Sequence, residues 1–167
     1  MHNFKSVWDI TPATAHPRAR RLVGDSIIWN YGDEDSPLGN DVGADTFAAY
    51  LLFRTAQPAG DLDGFMREQL ASRGFPDTDW EITEDGALEE AIRNDRGFEL
   101  VRRDDLIIGL AFAQLVLEGT VDAEVRRRAI TALQRQGTDV VLSFRGGGGE
   151  DGRRRQLAQF QRILELA

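Results

Sequence analysis

Cysteine is absent from this 167-residue chain. That excludes disulfide staples, thiolate nucleophiles and cysteine-ligated zinc, and it fits a reducing compartment. Histidine is nearly absent: His2 lies at the extreme N-terminus, leaving His16. No histidine pair is placed to bind zinc, and a Ser–His–Asp triad would have to use His16 without a GxSxG elbow beside it. Lysine occurs once, at Lys5, and the 28 acids outnumber the 20 lysines and arginines for a net charge of −8. A chain this acidic argues against general nucleic-acid binding, where basic grooves dominate affinity. No apolar run reaches the ~20 residues that span a bilayer, and MHNFKSVWDI has no signal-peptide core. A cytosolic protein is the expectation, with one domain over residues 1–167 and enough length to bury about 70% of its unfolded surface.

What the chain does have is an apolar centre. Residues 104–136 read DDLIIGLAFAQLVLEGTVDAEVRRRAITALQRQ, and within 106–117 only Gly109 and Gln114 are not apolar. A helix hydrophobic all round has to be enclosed by neighbours. Asp104 or Asp105 is the expected N-cap, and Gly119 suits the left-handed residue that closes a helix. Asp122 would cap a second helix that packs through Val125, Ala129, Ala132 and Leu133 and stops at Gly137. The short link predicts antiparallel neighbours, a buried helical hairpin over 104–136.

Around it the pattern is mostly helical. Residues 1–10 read as an extended lead-in with Trp8 and Ile10 on one side, followed by a short helix from Pro17 to Val23, stopped by Gly24. SIIWN, 26–30, is too short to divide between strand and buried turn. The dense turn signal YGDEDSPLGN feeds a helix capped by Asn40 or Asp41, with Ala44, Phe47, Ala48 and Leu51 as its stripe and Tyr50 and Leu52 broadening it. Asp61 begins a helix carrying Leu62, Phe65, Met66, Gln69 and Leu70, closed by Gly74. Trp80 and Ile82 anchor the next loop, and Thr83 caps a short helix burying Leu88, Ala91 and Ile92. TDVVLSF, 138–144, has strand composition, with SIIWN or residues 8–10 as its partner. RGGGGEDG is a loop, and a final helix from about Asp151 buries Leu157, Phe160, Ile163 and Leu164. The fold class expected is mainly α, or α+β with at most a small sheet.

Candidate chemistry is sparse. Asp33, Glu34, Asp35, Asp41 and Asp45 form an acidic group in GDEDSPLGNDVGAD. Clustered carboxylates can bind Ca²⁺ or Mg²⁺, but the spacing is not that of a calcium loop. Asp41 and Asp45 have a plainer role at a helix N-terminus. The five are the candidate partner-binding residues, and no metal or cofactor is assigned. His16 in AHPRAR reads as a capping or packing residue. The glycine run 146–149 lacks the GKS or GKT of a phosphate loop and reads as a linker. Arg153, Arg154 and Arg155 sit badly at a helix start and call for carboxylate partners, Glu150 and Asp151 among them. No catalytic constellation emerges. The expectation is a non-enzymatic interaction protein with a basic partner, immunity-type or accessory. The alternatives are a carboxylate-based metal enzyme and a structural or regulatory domain.

TPATAHPRARRL, SPLGNDVGADTF and LIIGLAFAQLVLEGTVD together resemble small bacterial YfeS-like proteins over most of residues 8–136. The resemblance implies a bacterial source; it implies no activity, cofactor or catalytic residue.

Overall fold

The computed structural model describes residues 6–146 and 149–167. Eight α-helices follow in order: α1 Pro17–Val23, α2 Asp41–Ala56, α3 Leu62–Ser72, α4 Asp85–Arg93, α5 Gly97–Glu118, α6 Ala123–Gln136, α7 Asp139–Arg145 and α8 Glu150–Leu166. Two short 3-10 helices, Val7–Asp9 and Ile27–Trp29, precede α1 and α2 respectively. No strand occurs among the described residues. The protein is mainly α.

The buried hairpin stands, but α5 is longer than its apolar run. It begins at Gly97, so Asp104 and Asp105 lie mid-helix rather than at its cap. Every residue from Leu106 to Val116 is buried, as a helix with no polar stripe requires. Gly119 closes it in the left-handed region at φ 75°. Asp122 caps α6, its Oδ1 accepting from the backbone N–H groups of Glu124 and Val125 at 2.9 and 3.2 Å. Gln114, buried in the apolar run, accepts from the Asp122 N–H at 2.9 Å and pins the hairpin link.

Helices α2, α6 and α8 pack around this centre, α2 and α6 on α5 and α8 on α6. At the α2–α5 crossing a Cβ on Gly109 would stand 2.8 Å from the Cα of Gly43, and one on Gly43 would meet the Pro37 carbonyl at 1.9 Å. Both glycines are there to let two backbones touch. Leu157, Phe160, Ile163 and Leu164 of α8 are buried as expected, Phe160 edge-on to Phe112 at 5.7 Å. A smaller cluster, Leu88, Val101 and Val141, lies apart from the main core between α4, α5 and α7.

The strand composition of 138–144 does not make a strand; the segment is helix α7. Thr138 caps α7 by accepting from the Val141 N–H at 3.4 Å, and Asp139 sits in the first turn. Capping favours the helix, and no second strand is present among the described residues to reward an extended chain. SIIWN, open between strand and buried turn on sequence, is a 3-10 turn capped by Ser26, whose Oγ accepts from the Ile28 N–H. The lead-in falls partly outside the described residues. Its described part is helical, with Ile10 buried and Trp8 68% exposed, so the two do not share a side. In α2, Ala48 and Leu52 face outward while Phe47, Tyr50 and Leu51 are buried. Glu84, not Thr83, precedes α4 and makes no side-chain cap. The linker reading of 146–149 rests in part on residues outside the description.

Candidate interaction surfaces

The acidic turn is a folded corner. Asp33 Oδ1 accepts from the Asp35 N–H at 2.9 Å, and the Asp33 carbonyl accepts from the Ser36 N–H at 2.9 Å. Ser36 and Leu38 are fully buried, and the Ser36 hydroxyl reaches the Ile28 carbonyl at 3.4 Å. Asn40 caps α2, its Oδ1 accepting from the Gly43 N–H at 2.8 Å. A Cβ on Gly39 would meet the Asp33 carbonyl at 2.2 Å. The segment is held by its backbone, by the Ser36 and Asn40 side chains and by the Asp33 carboxylate, which leaves Glu34, Asp41 and Asp45 for other uses.

Those carboxylates do not converge. Glu34, Asp41 and Asp45 are exposed, Asp33 and Asp35 half-buried. Asp35 is already engaged: Arg153 donates to its carbonyl at 2.7 Å and lies 3.3 Å from its carboxylate. Among the described residues no three His, Asp or Glu are grouped so as to hold a metal ion.

Arg153 and Arg154 find partners other than the ones expected. Arg153 also donates to Gln136 Oε1 at 3.2 Å, and Arg154 bridges the Gly137 carbonyl and Asp139, both at 2.6 Å. Beneath Arg153, Arg145 stands 3.7 Å from Asp105, which accepts from Gln136 Nε2 at 2.8 Å. Burial pushes the Asp105 carboxyl up, against the pull of Arg145. A polar cleft of about 340 Å³ opens beside these side chains, lined by Asp35, Arg145, Glu150, Arg153 and Gln156. Its two arginines face two carboxylates, so it favours no ion of either sign.

The charged residues that composition did not reveal lie deeper. Arg135 of α6 and Asp104 of α5 have side chains 0% exposed and meet through two 2.9 Å bonds, Nε to Oδ2 and Nη2 to Oδ1. Arg135 also donates to the Ile82 carbonyl at 2.5 Å. Burial pushes the Asp104 carboxyl up to about 6, with Arg135 and Arg103 pulling it down. Arg103, 2% exposed, donates to the Thr78 and Asp79 carbonyls, and its guanidinium carbon lies 4.5 Å from the Trp80 ring centre. Arg128 stacks on the same ring at 4.7 Å. Trp80 is thus the anchor the sequence suggested, held by cations as well as hydrocarbon. A signal existed: Gly97, Val101, Asp104 and Ile108 share one helical stripe, which carries the helix upstream past the two aspartates.

His16 is structural. Its Nδ1 accepts from the Arg18 N–H at 3.2 Å, capping α1. Its ring packs where Gly119 lacks a side chain, since a Cβ there would stand 2.0 Å from Nδ1.

Another open feature is a groove of about 620 Å³ between α4 and α7, lined by Glu89, Ile92, Arg93, Asp139, Val140, Ser143 and Phe144. At its end Phe98, 75% exposed, stands edge-on to Phe144 at 5.1 Å.

No family model, no curated protein and no solved structure matches this chain. No helix among the described residues is long and apolar enough to cross a membrane.

Proposed function

We propose that this is a cytosolic bacterial protein-interaction module, of the immunity or accessory kind, that docks a basic protein through the acidic turn. The observation that carries the reading is the combination of a pinned backbone with unengaged carboxylates. The turn is fastened by Ser36, Leu38 and Asn40, while Glu34, Asp41 and Asp45 point to solvent. A rigid, charged surface binds without the cost of ordering a loop. Charge complementarity of this sort mostly accelerates association, and salt screens it within ~8 Å at physiological ionic strength. No catalytic role is proposed for any residue.

The test uses Glu34→Gln with Asp45→Asn, which spares the Asp35–Arg153 contact and the Asn40 cap. With a partner first captured from lysate, association rates are measured at two salt concentrations. The double variant should associate more slowly and with a flatter salt dependence, at unchanged melting temperature. Equal rates in both proteins would dismiss the acidic turn as a docking surface.

A further inference from the structure

The groove between α4 and α7 has an apolar floor that the chain leaves open. Val140 and Phe144 are half-buried against the small cluster of Leu88, Val101 and Val141, and the half-buried Ile92 lines the groove with them. Phe144 is held in place from beneath. A Cβ on Gly97 would stand 2.7 Å from its Cζ, and Phe98 meets it edge-on. The floor is therefore a fixed shape, and Phe98 projects beside it at 75% exposure. A large exposed aromatic beside an open apolar groove marks an interaction site.

The rim identifies the occupant. Glu89 and Arg93 stand one helical turn apart on α4, on the same flank of Ile92, and both are exposed. They are of opposite sign, and among the described residues neither side chain makes an ion pair or hydrogen bond. A uniformly acidic rim would suit a basic helix; here Asp139, the third charged lining residue, is already paired with Arg154, which leaves one acid and one base. Turned by a two-fold axis through the Ile92 region, it becomes its own complement. Two α4 helices packed antiparallel would set Glu89 of each against Arg93 of the other, with the apolar floors and Phe98 side chains facing across the axis. A two-fold interface uses the same patch on both subunits and requires this self-complementarity.

We infer that this face is a self-association surface, and that a second copy of this chain occupies the α4–α7 groove to form a two-fold dimer. The inference is independent of the acidic turn, which lies on other elements. With a short α4 and a charge of −8 on each chain, the association is weak and concentration-dependent.

Sedimentation of the full chain from about 1 µM to about 1 mM, a range that spans weak affinities, measures it. The average mass of the wild type should climb from monomer toward dimer. Phe98→Ser should stay monomeric throughout, with an unchanged melting temperature because the side chain is exposed. Glu89→Arg or Arg93→Glu puts two like-charge pairs into each dimer and should weaken it about tenfold or more. The swap Glu89→Arg with Arg93→Glu should restore it. A wild type that stays monomeric at the highest concentration overturns the inference, as does a dimer indifferent to Phe98→Ser. A dimer that needs Phe98 but ignores both single charge changes overturns the two-fold register. A monomer whose Phe98 proves essential for capturing some other protein also overturns it, and hands the groove to that partner.

Discussion

From Leu106 to Val116, α5 is buried mainly among hydrocarbon side chains; one turn earlier, Arg103 and Asp104 are equally buried among charges and carbonyls. The first half is enclosed because its side chains are apolar except Gln114, which is bonded to the Asp122 N–H. The second is enclosed only because Arg135, Trp80 and the carbonyls of residues 76–82 arrive from elsewhere in the chain. Hydrophobic burial is non-directional and tolerates many arrangements. A buried ion pair demands one geometry, because its desolvation is offset only by well-made bonds. The apolar half therefore supplies the driving force of the hairpin, and the ionic half sets the register of α6 against α5.

The largest effect should come from breaking the apolar half. Leu110→Asp places a charge where the side chain is 0% exposed. The cost is on the order of 5 kcal/mol or more in a protein with ~5–15 to lose. Thermal melting should show loss of the folded state, and a variant that melts like the wild type would refute a central α5.

Next is the ionic half. Asp104→Asn leaves Arg135 charged, buried and half-bonded, at a cost of about 3–5 kcal/mol. Replacing both residues, Asp104→Leu with Arg135→Met, should recover much of that loss in chemical denaturation. If the double variant is as unstable as the single one, the pair contributes more than charge balance, and its carbonyl bonds to the loop carry the difference.

The smallest effect contrasts that pair with one at the surface. Glu124 accepts from Arg127 and Arg128, which hold its carboxyl well down, to about 2 from 4.5. Its folded pKa lies below the unfolded value, so its contribution is present above about pH 4.5 and fades as pH falls toward about 2. Glu124→Gln should flatten the stability profile in that window by a modest amount, since the side chain is 44% exposed. An unchanged profile would show that the surface pairs of α6 add nothing measurable.

Much of the helical plan was written in local residue order. Pro17, Asn40, Asp61, Asp122 and Gly119 all begin or end helices where their chemistry placed them. The errors share a cause. Asp104 before an apolar run looks like a cap unless the stripe through Gly97 and Val101 is followed upstream. Val140, Val141 and Phe144 look like a strand unless Thr138 is weighted as a cap. The acidic turn was legible as a turn but not as a corner fixed against α5, because the close approach of Gly43, Gly109 and Pro37 joins residues distant in sequence.

By itself, then, the sequence determined the helical class, the buried hairpin and most helix ends, because caps and 3.6-residue periodicity act within a few positions along the chain. Only the tertiary structure decided which charges are buried and paired, which acids stay free, and where an apolar floor is left uncovered. Those outcomes depend on residues such as Asp104 and Arg135, or Asp35 and Arg153, meeting across long stretches of chain. No local pattern records such a meeting.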